Sequence, residues 1–81
     1  MGLRKDKAEN PTDFELVDAS TLHDPGYQFG IYANAAGNIY VTGENGVEAK
    51  FVTAGAGALS GVLATSVAAT TTVEWIALYG K

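Results

Sequence analysis

The residues with the most obvious catalytic potential lie between Ser20 and Asp24. His23 stands beside the carboxylate of Asp24, and Ser20 or Thr21 could supply a hydroxyl nucleophile. Nucleophilic triads are assembled in space from separate segments, so neighbours along the chain give such a triad little support. A Pro25-Gly26 turn follows directly. The sequence therefore favours a surface-loop histidine with no catalytic role.

Metal and nucleotide sites have weak support in this sequence. The chain has no cysteine and one histidine, which excludes thiolate metal sites. Its turn carboxylates lack the oxygen-ligand spacing of a calcium loop. Gly55, Gly57 and Gly61 come one residue short of a dinucleotide fingerprint, and no acidic residue follows at the required distance. The sequence therefore predicts no enzymatic activity, no metal and no cofactor.

Aromatic side chains offer a different chemistry, which is contact with a sugar or with another protein subunit. Tyr32 and Tyr40 lie on the outward side of their predicted strands and flank the turn between Asn34 and Asn38. A carbohydrate-binding module could use them as a sugar-binding platform. We favour subunit packing for both tyrosines and keep carbohydrate binding as the alternative.

The elements that position these residues are short strands separated by turn signals, which is typical of an all-β domain. Predicted strands cover 14–17, 27–34, 38–43 and 47–53, the first of them interpreted as a short edge strand, and Asn45-Gly46 predicts a hairpin between the last two. A loop follows over 53–58. Alternation within the strands directs one set of side chains inward, namely Phe29, Ile31, Ala33, Ile39, Val41, Val47, Ala49 and Phe51.

The segment 59–67 is ambiguous between a strand and a helix. Leu59, Val62, Leu63 and Val67 have helical spacing. Gly61 and the β-branched residues around it disfavour a helix, and the flanking pattern is β. We therefore interpret this segment as a strand.

The last predicted strand, 73–79, follows a turn over 69–72 and is apolar on both faces. Trp75 and Ala77 lie on one face, and Ile76 and Leu78 lie on the other. A strand buried on both sides needs a second covering layer, which in so short a chain is expected from a neighbouring subunit.

The fold expected from these elements is a small antiparallel β-sandwich or barrel of about six strands, formed by residues 14–81. Residues 1–13 carry six charges and form an extended N-terminal arm outside the core. An 81-residue chain without disulfides has little core to stabilise it, so we expect it to form a homo-oligomer or to dock on a larger assembly. The arm residues expected in such contacts are Leu3, Arg4, Lys5 and Lys7.

Charge and hydropathy disfavour two classes of partner. The net charge is −4, and only Lys50 and Lys81 are basic after residue 7, so no basic face is predicted for nucleic acid. No apolar run approaches the roughly 18 residues of a membrane span, and the N-terminus lacks the apolar core of a signal peptide. We therefore expect neither nucleic acid nor a membrane as a partner.

Short motifs follow one another along the chain, beginning with an Asp-x-x-x-Leu motif and continuing over residues 30–79. The segments are Asp18–Leu22, Gly30–Tyr32, Ala36–Gly37, Asn38–Thr42, Val47–Phe51, Ala56–Leu59, Ala69–Thr72 and Ile76–Tyr79. With these motifs the chain resembles the small head spike base proteins of gene transfer agents and tailed phages, in which comparable strand and turn motifs follow in the same order. Family members carry Pro and basic residues after the Ala-Gly-x-x-Leu motif, where this chain has the neutral segment Ser60–Ala64.

The resemblance implies a virion structural protein on the capsid surface. Such a protein would oligomerise, dock on the major capsid protein, and act as a head spike base, a decoration protein or a cement protein, in some cases carrying a spike or fibre protein. The expected contact residues within the β domain are Tyr32, Tyr40, Ile76 and Leu78. The alternative function is that of a carbohydrate-binding module of a phage fibre or spike, which would use Tyr32 and Tyr40.

Overall fold

The computed structural model of this chain describes residues 13–80, which form two antiparallel sheets. The strands are β1 (Asp13–Val17), β2 (Gly30–Ala33), β3 (Gly37–Thr42), β4 (Glu48–Thr53), β5 (Gly57–Ala58), β6 (Ser66–Val67) and β7 (Trp75–Tyr79). One sheet has the order β1-β7-β2-β5 and the other has the order β4-β3-β6. The prediction of an all-β sandwich is confirmed, with seven strands.

The predicted arm, 1–13, lies outside the described residues except for its last residue. Asp13 begins β1, where it pairs with Tyr79 of β7. Strand β1 therefore begins one residue before the predicted strand 14–17. Strand β1 forms one edge of the four-stranded sheet, as expected for the segment 14–17.

A single hydrophobic core fills the space between the two sheets. Phe29, Ile31 and Ala33 contribute to it from one sheet, and Ile39 and Val41 contribute from the other. Trp75, which is fully buried on the central strand β7, is the largest core side chain. The inward sets predicted for β2 and β3 are therefore confirmed.

The hairpin predicted at Asn45-Gly46 joins β3 to β4. Gly46 has a φ of 84° and its N–H donates to the carbonyl of Gly43, while the N–H of Gly43 donates to the carbonyl of Val47. Positive φ at this position is accessible to glycine without steric cost, which explains why the chain turns here.

The inward set predicted for β4 is wrong for two of its three residues. Val47 is 61% exposed and Ala49 is also exposed, whereas Phe51 is partly buried against the core. Strand β4 is an edge strand with one neighbour, so alternation alone does not bury the side chains at its start.

The strand predicted over 59–67 is reduced to Ser66–Val67, and the described residues form no helix there. Gly61 has a φ of 77°, and the N–H of Val62 donates to the carbonyl of Leu59, so this segment turns. Ala64 then forms an isolated bridge with Phe29. Small residues and a left-handed glycine allow a compact turn in place of a long strand.

Candidate interaction surface

The outer face of the four-stranded sheet is apolar and partly exposed. Antiparallel neighbours that lie directly opposite project to the same side of a sheet. The pairs Val17↔Trp75 and Ala33↔Trp75 point into the core, so the alternate residues point outward. Those outward residues, which we call the outer face, are Phe14, Leu16, Gly30, Tyr32, Ala58, Ile76 and Leu78.

The outer face is arranged in two rows across the strands. One row runs Leu16, Ile76, Tyr32 and Ala58, and the other runs Phe14, Leu78 and Gly30. Phe14 is 65% exposed, Leu16 is 59% exposed and Tyr32 is 38% exposed, whereas Ile76 and Leu78 are half-buried between their neighbours. No charged residue belongs to either row.

The size of this face is comparable with that of the largest apolar patch on a small protein. Four strands about 4.8 Å apart, with about five residues of 3.3 Å each, give an area of about 300 Å². Contiguous apolar patches of that size on small proteins often mark contact sites. The area is below the roughly 800 Å² per partner of a standard interface, so one copy of this face supports a weak contact.

The outward side of the three-stranded sheet has a different character. On β3 it presents Asn38, Tyr40 and Thr42, and on β4 it presents Glu48, Lys50 and Val52. This mixture of polar, charged and apolar groups is typical of a solvated sheet surface. The sandwich therefore has one apolar broad side and one polar broad side.

The predicted contact residues divide between these surfaces. Tyr32, Ile76 and Leu78 come together on the outer face, while Tyr40 lies on the opposite side of the sandwich. The predicted carbohydrate platform of Tyr32 and Tyr40 is therefore not formed, because the chain changes sheets between β2 and β3. The arm residues predicted to make contacts, Leu3, Arg4, Lys5 and Lys7, lie outside the described residues.

Phe14 and Leu16 were not among the residues that the sequence singled out. Both lie on the outer face and are its most exposed large side chains. Phe14 and Leu16 are two residues apart in the predicted edge strand 14–17, and this spacing puts both side chains on the same face of the strand. The missing information was the pairing with β7, which aligns them with Leu78 and Ile76.

His23 is buried and not a surface-loop residue, which corrects the expectation for it. Its side chain packs edge-on against Phe29 and Trp75, with ring centroids 4.9 Å and 5.3 Å away. The backbone of His23 forms a bridge with Val67, which attaches the segment before the Pro25-Gly26 turn to β6. This backbone bridge places the imidazole of His23 at the end of the core, where it is buried.

A hydrogen-bonded chain links His23, Tyr79 and Glu15. The Nε2 atom of His23 lies 2.6 Å from the Tyr79 hydroxyl oxygen, and that hydroxyl lies 2.9 Å from Oε1 of Glu15. The Tyr79 hydroxyl donates its single proton to Glu15, so Nε2–H of His23 donates to the phenolic oxygen. This arrangement joins β1, β7 and the segment before the turn.

Burial shifts the pKa values of two members of this chain. Desolvation lowers the pKa of His23 below its usual 6.5, against the opposing attraction of Glu15 and Asp24. Burial, together with the hydrogen bond to Glu15, raises the pKa of Tyr79 well above its usual value. A neutral histidine and a protonated tyrosine suit a structural connection, and neither is poised as a nucleophile.

The residues considered for a catalytic triad, a dinucleotide site or a metal site do not form such sites within the described part of the chain. The hydroxyl of Thr21 donates to the carbonyl of Ala19, and His23 Nε2 bonds Tyr79, so no triad forms among residues 20–24. Gly57 belongs to β5 and is followed by a turn, not by the helix that a dinucleotide site requires. Across residues 13–80, no three His, Asp or Glu side chains are grouped to hold a metal ion.

Comparisons of the chain with protein-family models, with curated proteins and with solved structures find no match. Within the described residues, no helix is long and apolar enough to cross a membrane.

Proposed function

We propose that this chain is a non-enzymatic virion structural protein that docks on the major capsid protein of a phage or gene transfer agent. The observation that carries the proposal is the outer face, which is apolar, uncharged and exposed at Phe14 and Leu16. The resemblance to head spike base proteins supplies the capsid surface as the place of docking and the role of spike base, decoration or cement protein.

The exposed side chains of the outer face explain why docking is favourable. Fully burying a phenylalanine or leucine side chain contributes about 1.5–3 kcal/mol, and Phe14 and Leu16 retain more than half of their surface in the monomer. Tyr32 adds a ring with a hydroxyl at its tip, a combination enriched in protein interfaces. Contact with another protein would remove this surface from water.

Charge separates the N-terminal segment from the β domain. Residues 1–7 carry Arg4, Lys5 and Lys7 against Asp6, whereas the segment 13–80 has seven acidic residues and one basic residue. A twelve-residue segment can reach about 40 Å when extended. We therefore assign residues 1–12 a contact with an acidic surface of the capsid or of an adjacent copy, beside the docked face.

The proposal is tested by cosedimentation of the purified chain with capsids from the particle encoded by the same genome. Leu16→Glu introduces a charge into the outer face and should reduce binding at least tenfold. Leu22→Glu is the matched control, because Leu22 is 64% exposed and lies outside the outer face. Equal binding of the two variants, or no binding of the unmodified chain, would refute the proposal.

A deletion tests the N-terminal segment separately. Removing residues 1–12 leaves β1 complete, since β1 begins at Asp13. We expect weaker attachment to capsids and an unchanged β circular dichroism spectrum. If the shortened chain attaches as strongly as the full chain, residues 1–12 make no contribution to binding, and the outer face alone forms the interface.

A further inference from the structure

Strand β4 is an open edge of the three-stranded sheet. The order β4-β3-β6 leaves β4 with one neighbour among the described residues. The other end of this sheet is covered, because the backbone of His23 bonds Val67 of β6. An open edge of six residues exposes backbone donors and acceptors to pairing with another strand.

The hairpin identifies which backbone groups of β4 face outward. The N–H of Gly43 donates to the carbonyl of Val47, so the odd-numbered residues of β4 bond to β3. Hydrogen-bonded residues alternate along an antiparallel strand. The N–H and C=O groups of Glu48, Lys50 and Val52 therefore point to the open edge.

The side chains on the core side of β4 are incompletely covered. Val47 is 61% exposed, Ala49 is exposed and Phe51 is partly buried. Ala49 and Phe51 project from the side of β4 that faces the other sheet, and Val47, which directly precedes β4, continues the same alternation. A strand added beside β4 would bring apolar side chains next to them.

The charges on the outward side of β4 complement each other in one antiparallel register. Glu48 and Lys50 are both exposed, and Lys50 is the only basic residue between positions 13 and 80. If two β4 strands pair around Ala49, Glu48 of each copy lies opposite Lys50 of the other. A shift of one residue per strand in either direction places Lys50 opposite Lys50, or Glu48 opposite Glu48, which is unfavourable.

The same register also matches the apolar side chains and the backbone. Val47 lies opposite Phe51 of the second copy, and Ala49 lies opposite Ala49. The outward-facing backbone groups of Glu48 and Lys50 fall opposite each other, so they form hydrogen-bonded pairs. We propose that β4 pairs with β4 of a second copy in this register, which joins the two three-stranded sheets into one of six strands.

The other long edge, β1, has no comparable complementarity. Strand β1 carries Asp13 and Glu15 and no basic residue, so self-pairing there gains no opposite-charge pair. Carboxylates on an edge strand disfavour such pairing. The second copy is therefore assigned to β4 and not to β1.

This dimer would place both outer faces on the same side. A two-fold axis perpendicular to the paired sheet keeps the four-stranded sheet of each copy behind it, so both outer faces point in roughly one direction. Their combined area of about 600 Å² approaches that of a standard interface, and two linked contacts bind more tightly than one. The advantage for capsid docking rests on the proposed function, whereas β4 pairing itself does not depend on it.

Charge reversal tests the register on the isolated chain by sedimentation equilibrium. Glu48→Lys and Lys50→Glu each create two like-charge pairs and should weaken dimerisation at least about tenfold. An equimolar mixture of the two variants restores both opposite-charge pairs, and so does the double variant Glu48→Lys/Lys50→Glu. Recovery in the mixture and in the double variant is the expected result.

Three outcomes would overturn the inference: an unmodified chain that stays monomeric at high concentration, single reversals that dimerise as well as the unmodified chain, or a mixture that fails to recover. Leu16→Glu should dimerise normally, because Leu16 lies on the outer face and not on β4. Loss of dimerisation in Leu16→Glu alone would assign self-association to the outer face and contradict β4 pairing. Since no capsid is present, failure here is distinguishable from failure of capsid docking.

Discussion

Leu16 of β1 lies directly opposite Ile76 of β7, with both side chains on the outer face, while the next pair, Val17 and Trp75, lies in the core. The boundary between surface and core therefore falls between adjacent residues. This alternation allows an edge strand to hold the fold together with one side and to present an apolar contact with the other.

Substitutions at these adjacent positions should differ sharply in their effect on stability. Leu16→Glu should change the free energy of unfolding by less than about 1 kcal/mol, because Leu16 is 59% exposed. Val17→Glu should cost more than about 3 kcal/mol or prevent folding, because Val17 is 4% exposed and the carboxylate would be buried. Urea denaturation measures both, and similar losses at the two positions would contradict the assigned register.

Gly37 should be intolerant of a side chain because of its neighbours. A Cβ atom at Gly37 would overlap Cγ1 of Val73 and lie 2.9 Å from Oγ1 of Thr72. We expect Gly37→Ala to reduce the free energy of unfolding by about 1–3 kcal/mol. Gly57→Ala is the control, since Gly57 also begins a strand and has no atom within 4 Å of that position. A Gly37→Ala protein as stable as Gly57→Ala would disprove the close packing.

The Tyr79 hydroxyl should contribute to stability through its two hydrogen-bond partners. Tyr79→Phe leaves the partly buried His23 and the Glu15 carboxylate without their shared partner, at a cost of about 1–3 kcal/mol. Tyr27→Phe should change stability by less than about 0.5 kcal/mol, because Tyr27 is 46% exposed. Thermal denaturation of both variants checks the difference, and equal midpoints would show that the hydrogen-bonded chain contributes nothing.

Stability should decline as the pH falls below the ordinary pKa of histidine. The folded protein holds the pKa of His23 below 6.5, so the unfolded chain binds a proton first and gains stability relative to the folded state. The stabilisation is fully present above about pH 6.5 and is lost as the pH falls toward the folded pKa. His23 is the only histidine, so His23→Gln should remove the decline in stability that begins below about pH 6.5. An unchanged slope in His23→Gln would contradict this assignment.

Local patterns predicted most of the strands. Alternation located β2 and β3 with their inward side chains, and Asn45-Gly46 located the hairpin, because both signals depend on neighbouring residues. Pairings between distant segments could not be predicted from such local patterns. Neither the burial of His23 against Val67 and Trp75 nor the alignment of Phe14 with Leu78 is encoded in a local pattern.

The candidate surface was predicted in part. Ile76 and Leu78 were assigned to contacts because their strand is apolar on both faces, and they do lie on the outer face with Tyr32. Tyr40 was grouped with Tyr32 because both follow the outward alternation around one turn. The turn joins two different sheets, and only the three-dimensional connection shows that these tyrosines lie on opposite sides of the sandwich.

A reconstruction of the particle that carries this protein is the most direct test of capsid docking. We expect the chain on the outside of the shell, with Phe14, Leu16, Ile76 and Leu78 packed against a capsid subunit. A chain bound with these four side chains facing solvent, or a particle that lacks the chain, would contradict it.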